Sequence, residues 1–462
     1  MSYIMSIFHS GIDVERILHV LAKRGGRIHF VGILGEGMAP LAELMHERGY
    51  AVSGSDVRAP DEASALLSLG ISIVYDHSTE LAVGADLLVY TLAIKDDDPE
   101  LVAAGERGIP CVSRAELLGA VMLAYKNRIG VMGTHGKSTT VAMLHRIFSD
   151  AGYSPSTLSG AALECGRALS IGGTDWFIFE ACEYRDSFLH FHPTHALVTN
   201  IELDHTDYFP DIDSLRASFA SASGIASDRI LLSMDDGNCR EIGKGRGRVS
   251  FFGTDPRSDY RMSSLEFDAV GSRFFVEQEG RRLAEIELRV PGEANARDAL
   301  AAFAMCHAVG ISSDIIADAL HRFRGIGRRL EYLGSIGDRP VYYDYAHHPT
   351  EILNTASTLG RLYSKVCAIF RPHTFSRTEA LYDDFCAALS CFDRAVILPV
   401  FAAREVQGYR RGSEELAQGI RGGVYVPMDE AVRFAIAHTE GAIVLLGAGN
   451  VDAIKKELLS LM

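Results

Sequence analysis

The sequence predicts an α/β protein built from three consecutive units, and three observations lead there. The chain has 462 residues, and at roughly 100–200 residues per domain this length suits about three hydrophobic cores. Apolar runs of strand length alternate with helical patterning in a strand–turn–helix order, which favours parallel layers. That pattern restarts twice, at RIGVM and again after Gly325-Ile326-Gly327.

In the first unit, RIHFVGI reads as a strand ending in glycines, MAPLAELMHERG as a helix, AVSGS as a second strand and LLVYTLAI as a third. Helical patterning follows at 99–107 and 114–125. The unit is assigned to residues 1–126, of which 1–26 form an extension. That extension carries Ile12, Ile17, Leu18 and Leu21 at near-helical spacing, as in a short amphipathic helix. The second unit, 127–325, begins with RIGVM and enters a helix whose apolar stripe is Val141, Leu144, Ile147 and Phe148, with Gly152 as its stop signal. DWFIFEA, HALVTNI and RILLSMD supply further strands. The alternation over 247–290 predicts antiparallel hairpins. The third unit, 326–462, holds four strand-like runs, PVYYDYA, KVCAIFRP, RAVILPVF and AIVLLGAG.

Apolar residues make up 47% and charged residues 23% of the chain, a globular rather than disordered composition. A net charge of −15 without a basic run excludes non-specific nucleic-acid binding. It leaves room for a phosphorylated small molecule in a locally positive pocket. The eight cysteines are scattered with no Cys-x-x-Cys pair, so neither a zinc ribbon nor a disulfide framework is signalled. This usage suits a reducing cytoplasm. No apolar run reaches the ~18 residues of a membrane span, and the N-terminus lacks a secretory leader pattern.

Gly133-Thr134-His135-Gly136-Lys137-Ser138-Thr139 follows a strand and opens a helix. Glycines there let backbone N–H groups approach an anion, and the helix N-terminus adds a favourable dipole. Lys137 is placed to meet β- and γ-phosphates and Ser138 to put a hydroxyl on Mg²⁺. Val131 stands where the full Walker pattern has another glycine, so this is a shortened version of the loop. The alternative is a glycine turn with a surface lysine. Glu180, Glu183 and the TNIELDH segment lie at strand C-terminal ends, where ligands bind in open α/β sheets. A carboxylate and an imidazole there suit a second Mg²⁺ or are ordinary loop polarity. Gly32-Ile33-Leu34-Gly35-Glu36-Gly37 with Asp56 downstream resembles a nucleotide-binding first turn. Its glycine spacing points to a second nucleotide-linked ligand rather than NAD. Arg328-Arg329, DYAHHP and RPHTFSR bring arginines able to clamp carboxylate or phosphate oxygens. The paired histidines of DYAHHP are equally consistent with a solvated turn.

In combination, RIHFVGI…VSGSD, GTHGKSTT, EACE, TNIELDH, GIGRRLEYLG, DYAHHPTEI, FRPHTFSRT, LYDDF and LLGAGN resemble the Mur ligases of peptidoglycan synthesis, in order from about residue 27 to the end. DYAHHPTEI and PHTFSRT are similar to the branch that adds L-alanine to UDP-N-acetylmuramate. The resemblance implies a Rossmann-like N-terminal domain for the UDP-sugar, a central P-loop ATPase-type α/β domain with β-hairpin additions, and a Rossmann-like C-terminal domain for the amino acid. It implies ATP and Mg²⁺, an acyl-phosphate intermediate and attack by an amine.

By residue, it implies Gly32, Ile33, Gly35, Gly37, Met38, Ser55 and Asp56 on the UDP-sugar, and the loop 133–139 with Asn295, Arg329 and Asp344 on ATP. Ser138, Glu180 and His205 are implied on metal, and Tyr345, His348, His373 and Arg377 around the amino acid. Lys137, Glu180, His205 and Arg329 form the implied catalytic set. Phe219 and Ala220 occupy the neighbourhood where related ligases carry a modified lysine, as the alanine-adding branch implies.

The chain departs from the family pattern at Leu34 and Glu36 in the first turn, at Cys182, Tyr184 and Arg185 in EACEYRDSF, at Ala294, and at Thr374. Leu34 is expected to crowd a diphosphate and Glu36 to repel it. Arg371 stands three residues before Thr374 and is a substitute for the arginine that family members often have there. The departures therefore fall in the substrate pockets. They frame two alternatives, a paralogue using another acceptor or amino acid and a weakly active regulatory paralogue.

Overall fold

The computed structural model describes residues 14–23, 25–57, 63–268, 271–403, 405, 411–449 and 451–462. Three sheets follow one another along the chain, each wrapped by helices. The first is fully parallel: β1 (Arg27–Val31), β2 (Ala51–Ser55), β3 (Ser72–Val74), β4 (Leu87–Tyr90) and β5 (Cys111–Ser113), in the order β3-β2-β1-β4-β5. Order reverses at β1/β4, so the crevice beyond the ends of these strands is a topological switch point. Two helix starts beside it are fixed by local chemistry. Asp98 caps the helix Pro99–Glu106, which has proline in its first turn. Ser113 and Glu116 form a capping box that sets Arg114 at the first position of Arg114–Met122.

The central sheet has ten strands: β6 (Asn127–Met132), β7 (Ser156–Leu158), β8 (Leu169–Ser170), β9 (Trp176–Glu180), β10 (His195–Val198), β11 (Arg229–Ser233), β12 (Val249–Gly253), β13 (Tyr260–Phe267), β14 (Ser272–Gln278) and β15 (Arg281–Leu288). Their order is β15-β14-β13-β12-β11-β10-β6-β9-β7-β8. Here one expectation needs correction: the hairpins begin only at β13. β12 runs parallel to both β11 and β13, and within 247–290 only β13-β14-β15 are antiparallel; at the opposite edge of the sheet β7 and β8 also pair antiparallel. The helix Gly237–Gly243 between β11 and β12 provides the crossover that parallel pairing needs. The helices Lys137–Asp150 and Glu293–Ala308 pack together over this sheet, with Val141, Leu144, Ile147 and Phe148 fully buried as their spacing predicts.

The third sheet has six strands where four were legible: β16 (Glu331–Ile336), β17 (Arg339–Asp344), β18 (Val366–Phe370), β19 (Arg394–Ile397), β20 (Gly423–Tyr425) and β21 (Ala442–Leu446), ordered β16-β17-β21-β18-β19-β20. In the N-terminal extension the helix Val14–Leu21 forms and buries Ile17, while Leu18 is exposed. Ile12 lies outside the described residues. Among the described residues no helix is long and apolar enough to cross a membrane.

Candidate functional site

The chemistry-bearing motifs meet where the C-terminal ends of the central strands face the third unit. The phosphate loop leaves β6 with Gly133 at φ 141° and enters its helix with Gly136 at φ 82°. Side chains are excluded at both: a Cβ on Gly133 would lie 2.0 Å from Thr199 Oγ1, and one on Gly136 2.3 Å from Asp298 Oδ1. The TNIELDH segment holds the loop in shape. Thr134 N donates to Asn200 O (3.1 Å) and His135 N to Asn200 Oδ1 (2.8 Å), while Thr134 Oγ1 bonds both the carbonyl and the N–H of Glu202. The loop is thus pre-organised by its neighbouring strand end.

Lys137 is buried, and its ammonium donates to Gly133 O, to Thr134 O (3.2 Å) and to both oxygens of Glu183 (3.3 and 3.1 Å). Burial alone would lower its pKa, but the carboxylates of Glu183 and Glu180 and the nearby Cys182 thiol raise it, so the cation persists. Ser138 Oγ donates to Glu180 Oε2 (2.7 Å), which also accepts from Gly160 N (2.8 Å). His205 stands with φ 52° and brings Nε2 to 3.8 Å from Glu183 Oε1 and 4.0 Å from Asp204 Oδ2. The imidazole therefore faces Glu183.

A cleft of about 390 Å³ opens beside the loop, lined by His135, Gly136, Thr139, Asn295, Arg329 and Asp344 with Ala294, Asp298 and Glu351. All the residues expected around ATP outside the loop itself line this one cavity. Asn295 Nδ2 donates to Pro291 O (2.8 Å). Asp344 accepts from Thr355 Oγ1 (2.6 Å), and burial pushes its carboxyl up to about 6. Burial likewise pushes Asp298 up to about 8, against the pull of Arg329 and His135, so the floor under the loop is a neutral acid at pH 7.

The third unit closes onto the loop through charged contacts. His135 lies between two carboxylates, Glu202 of the central unit (Nε2–Oε2 3.4 Å) and Glu351 of the third (Nδ1–Oε1 3.3 Å), with the His348 ring 4.7 Å away. Burial would lower the His135 pKa, but the two carboxylates raise it to about 9. The folded-state value lies above the unfolded one, so the stabilisation is complete below about pH 6.5 and is lost as pH rises through 9. Thermal midpoints should therefore fall between pH 6.5 and 9.5 in the wild type and change less in His135→Gln. Identical slopes would refute the charged contact.

Of the residues expected around an amino acid, His373 and Arg377 come together: Arg377 Nη1 donates to His373 Nδ1 (3.3 Å). The His347 ring lies 6.1 Å from that of His373. Arg377 also forms a buried pair with Asp204 (2.9 Å). Burial would raise the Asp204 carboxyl, but Arg377, with His205, His347 and His348 around it, holds it well below the usual carboxylate range. Burial pushes His347 down to about 4 and His373 to about 3, so both imidazoles are neutral at pH 7. The lone pair of His373 is taken by Arg377, and that of His347 Nε2 is left over because its Nδ1 donates to Tyr345 O. His348 instead caps the helix Pro349–Leu362 and reaches Leu203 O. Tyr345 meets the His347 ring edge-on at 5.4 Å and lies under the guanidinium groups of Arg328 and Arg329. Thr374 adopts φ 68°, uncommon for a β-branched residue, and Arg371 lies over the Phe401 ring.

In the first unit the glycine turn is drawn tight. Gly32 N and Ile33 N donate to Ser55 O (2.8 and 3.0 Å), Leu34 N to Asp56 Oδ2 (2.9 Å), and Gly35 N to Gly32 O (3.1 Å). Met38 opens the next helix and is buried. The crowding expected from Leu34 is not realised: its side chain turns into the core, where the hydrophobic effect favours it. Glu36 stays 70% exposed and pairs with Arg328 of the third unit (3.3 Å). A Cβ on Gly37 would touch the Arg114 guanidinium (3.1 Å). Arg114 is half-buried; desolvation lowers its pKa and the nearby Glu180 carboxylate opposes that shift. Sequence reasoning assigned no individual role to Arg114, Glu202, Asp204, Asp298 or Glu351, although Glu202 and Asp204 lie within TNIELDH and Glu351 within DYAHHPTEI.

The chain matches three family descriptions in succession: "Mur ligase family, catalytic domain" over residues 27–126, "Mur ligase middle domain" over 131–306 and "Mur ligase, glutamate ligase domain" over 328–450. It is 35% identical over 462 residues to the UDP-N-acetylmuramate–L-alanine ligase of Agathobacter rectalis, covering 97% of this chain and 99% of that one. It is 36% identical over 446 residues to the protein of the same name from Caldanaerobacter subterraneus, covering 94% and 97%. The solved UDP-N-acetylmuramate-alanine ligase of Thermotoga maritima superposes with a TM-score of 0.80 at 25% identity, covering 94% and 98%. A murein peptide ligase from Psychrobacter arcticus shares the fold, with a TM-score of 0.71 at 24% identity over 95% and 98%.

Proposed function

Because the chain belongs to the Mur ligase family, we infer that it joins L-alanine to UDP-N-acetylmuramate in the cytoplasm, driven by ATP cleavage through an acyl phosphate. One observation carries this reading: the phosphate loop, the Glu180/Glu183 strand end and the His373/Arg377 cluster converge on one seam, with the glycine turn of the first unit beside it. ATP occupies the cleft along the loop, with Asn295 at the base and Asp344 at the ribose. Lys137 and Arg329 neutralise charge on the transferred phosphoryl group. The donor set of Ser138 Oγ and Glu180 is oxygen-only and suits Mg²⁺. These residues, with His205 nearby, would hold the ion, which supplies charge neutralisation on the phosphates.

Arg114, at the start of its helix and beside Gly37 of the glycine turn, orients the acceptor's anionic groups. The neutral ring of His347, whose Nδ1 donates to Tyr345 O, accepts a hydrogen bond from the incoming amine through Nε2, while Arg377 is held in position by Asp204 and His373. Exclusion of water follows from the buried interface between the central and third units and protects an acyl phosphate from hydrolysis.

The test is phosphate release by the purified protein with ATP and Mg²⁺, with and without UDP-N-acetylmuramate, across a panel of amino acids. Release is expected only when UDP-N-acetylmuramate and L-alanine are both present. Release with a different pair replaces the substrate assignment, which the exposed Glu36 and the left-handed Thr374 make the informative outcome. No stimulated release by any pair overturns the ligase reading.

A further inference from the structure

A second set of metal-ligating side chains lies in the first unit, away from the phosphate loop. His77 follows β3, and Asp98 and Glu100 lie at the start of the helix Pro99–Glu106. Their ligand atoms all lie within 4.8 Å of one another. His77 Nδ1 is 2.9 Å from Asp98 Oδ2 and 3.2 Å from Glu100 Oε1. Glu100 is fully buried, and His77 and Asp98 expose only 13% and 11% of their side chains. One imidazole nitrogen thus faces two carboxylate oxygens. A single N–H satisfies at most one of them, and neither His77 Nδ1 nor Glu100 Oε1 completes a hydrogen bond. A buried carboxylate oxygen without a partner is costly.

The remaining atoms of the cluster are already committed. Glu100 Oε2 bonds His29 Nε2 (2.7 Å), and His29 Nδ1 bonds Ser53 Oγ (2.9 Å). Asp98 Oδ1 caps its helix through Glu100 N (2.9 Å). Each carboxylate therefore has one oxygen fixed by the fold and the other turned to a common point. Ligands bonded at about 2.0–2.1 Å in a tetrahedron stand ~3.3 Å apart, close to the 2.9 and 3.2 Å that separate His77 Nδ1 from the two carboxylate oxygens. The His29–Glu100 bond has the form of an outer-shell contact that orients a ligating carboxylate.

We propose that His77, Asp98 and Glu100 form a divalent transition-metal site of the Zn²⁺ class, with His29 orienting Glu100 and a water completing the coordination. One imidazole and two carboxylates match the mixed nitrogen–oxygen preference of Zn²⁺. The ion ties the loop after β3 to the start of a helix beside the switch point of the first sheet. The site stands independently of the ligase reading.

The experiment is calorimetric titration of chelator-stripped, full-length protein with ZnCl₂, paralleled by Co²⁺ absorption. One Zn²⁺ equivalent with micromolar or tighter affinity is expected. Asp98→Asn, which retains the cap, and His77→Gln should abolish that equivalent. His29→Gln should weaken it by about 10–100-fold. Circular dichroism on each variant separates loss of metal from loss of fold, and Asp98→Asn carries the test should His77→Gln unfold. His348→Gln, in the His135–Glu202–His348 group beside the phosphate loop, should leave the equivalent intact. No stoichiometric Zn²⁺, or an equivalent that survives Asp98→Asn but disappears with His348→Gln, overturns the proposal.

Discussion

Lys137→Ala is expected to lower kcat for amide formation by about 10²–10³-fold or more, since the residue supplies fixed positive charge where negative charge gathers on the phosphoryl group. The structure dictates how the experiment must be controlled. The Lys137 ammonium is the direct partner of the buried Glu183 carboxylate. Removing the lysine alone strands that carboxylate, and loss of activity could then reflect a weakened fold. The double variant Lys137→Ala/Glu183→Gln removes both charges. It should regain the thermal midpoint of the wild type while remaining inactive. Full turnover in either variant would show that the loop does not carry the phosphoryl chemistry.

Asp204→Ala should have the second-largest effect, although Asp204 belongs to none of the sets assigned by motif. The Asp204–Arg377 pair bridges the central and third units with both side chains buried. Breaking such a pair by removing one partner costs about 3–5 kcal/mol. That cost falls on the contact between the two units, and at 1.36 kcal/mol per decade it corresponds to roughly 10²–10⁴-fold in kcat/KM for the amino acid. The KM for ATP should change far less, because the phosphate loop is held by Asn200 and Glu202, outside the broken pair. Steady-state kinetics with each substrate varied in turn separates these effects. An equal rise in both KM values would mean that Asp204 supports the fold generally. Asp204→Asn, which keeps an acceptor for Arg377, should fall between the two.

The fold was readable wherever a strand was long and central. RIHFV, WFIFE, HALV, RILLS and AIVLL are fully or mostly buried runs whose short length favours a strand over a helix. The three-residue strands β3, β5, β7 and β20 were not legible, because so few residues carry no period. The direction of β12 was missed for a related reason: alternation reports that one face is buried and is silent about parallel or antiparallel pairing. At the site, motifs located the phosphate loop and the residues lining the cleft. They could not reveal that Leu34 turns inward, since a side chain's direction in a tight turn depends on the backbone bonds to Ser55 and Asp56. Nor could they reveal Glu351 against His135 or Asp204 against Arg377, pairs that exist only once separate units assemble.

One short stretch, Thr199–His205, touches nearly every working part. Thr199 closes over Gly133, Asn200 and Glu202 fix the loop, Asp204 holds Arg377, and His205 faces Glu183. A change at any of its positions is felt by several functions at once, so this stretch has little freedom to drift. The Glu36–Arg328 contact is the opposite case: it lies at the solvent edge and constrains little else. New acceptor preferences can therefore evolve at the rim while the machinery for phosphoryl transfer is inherited unchanged.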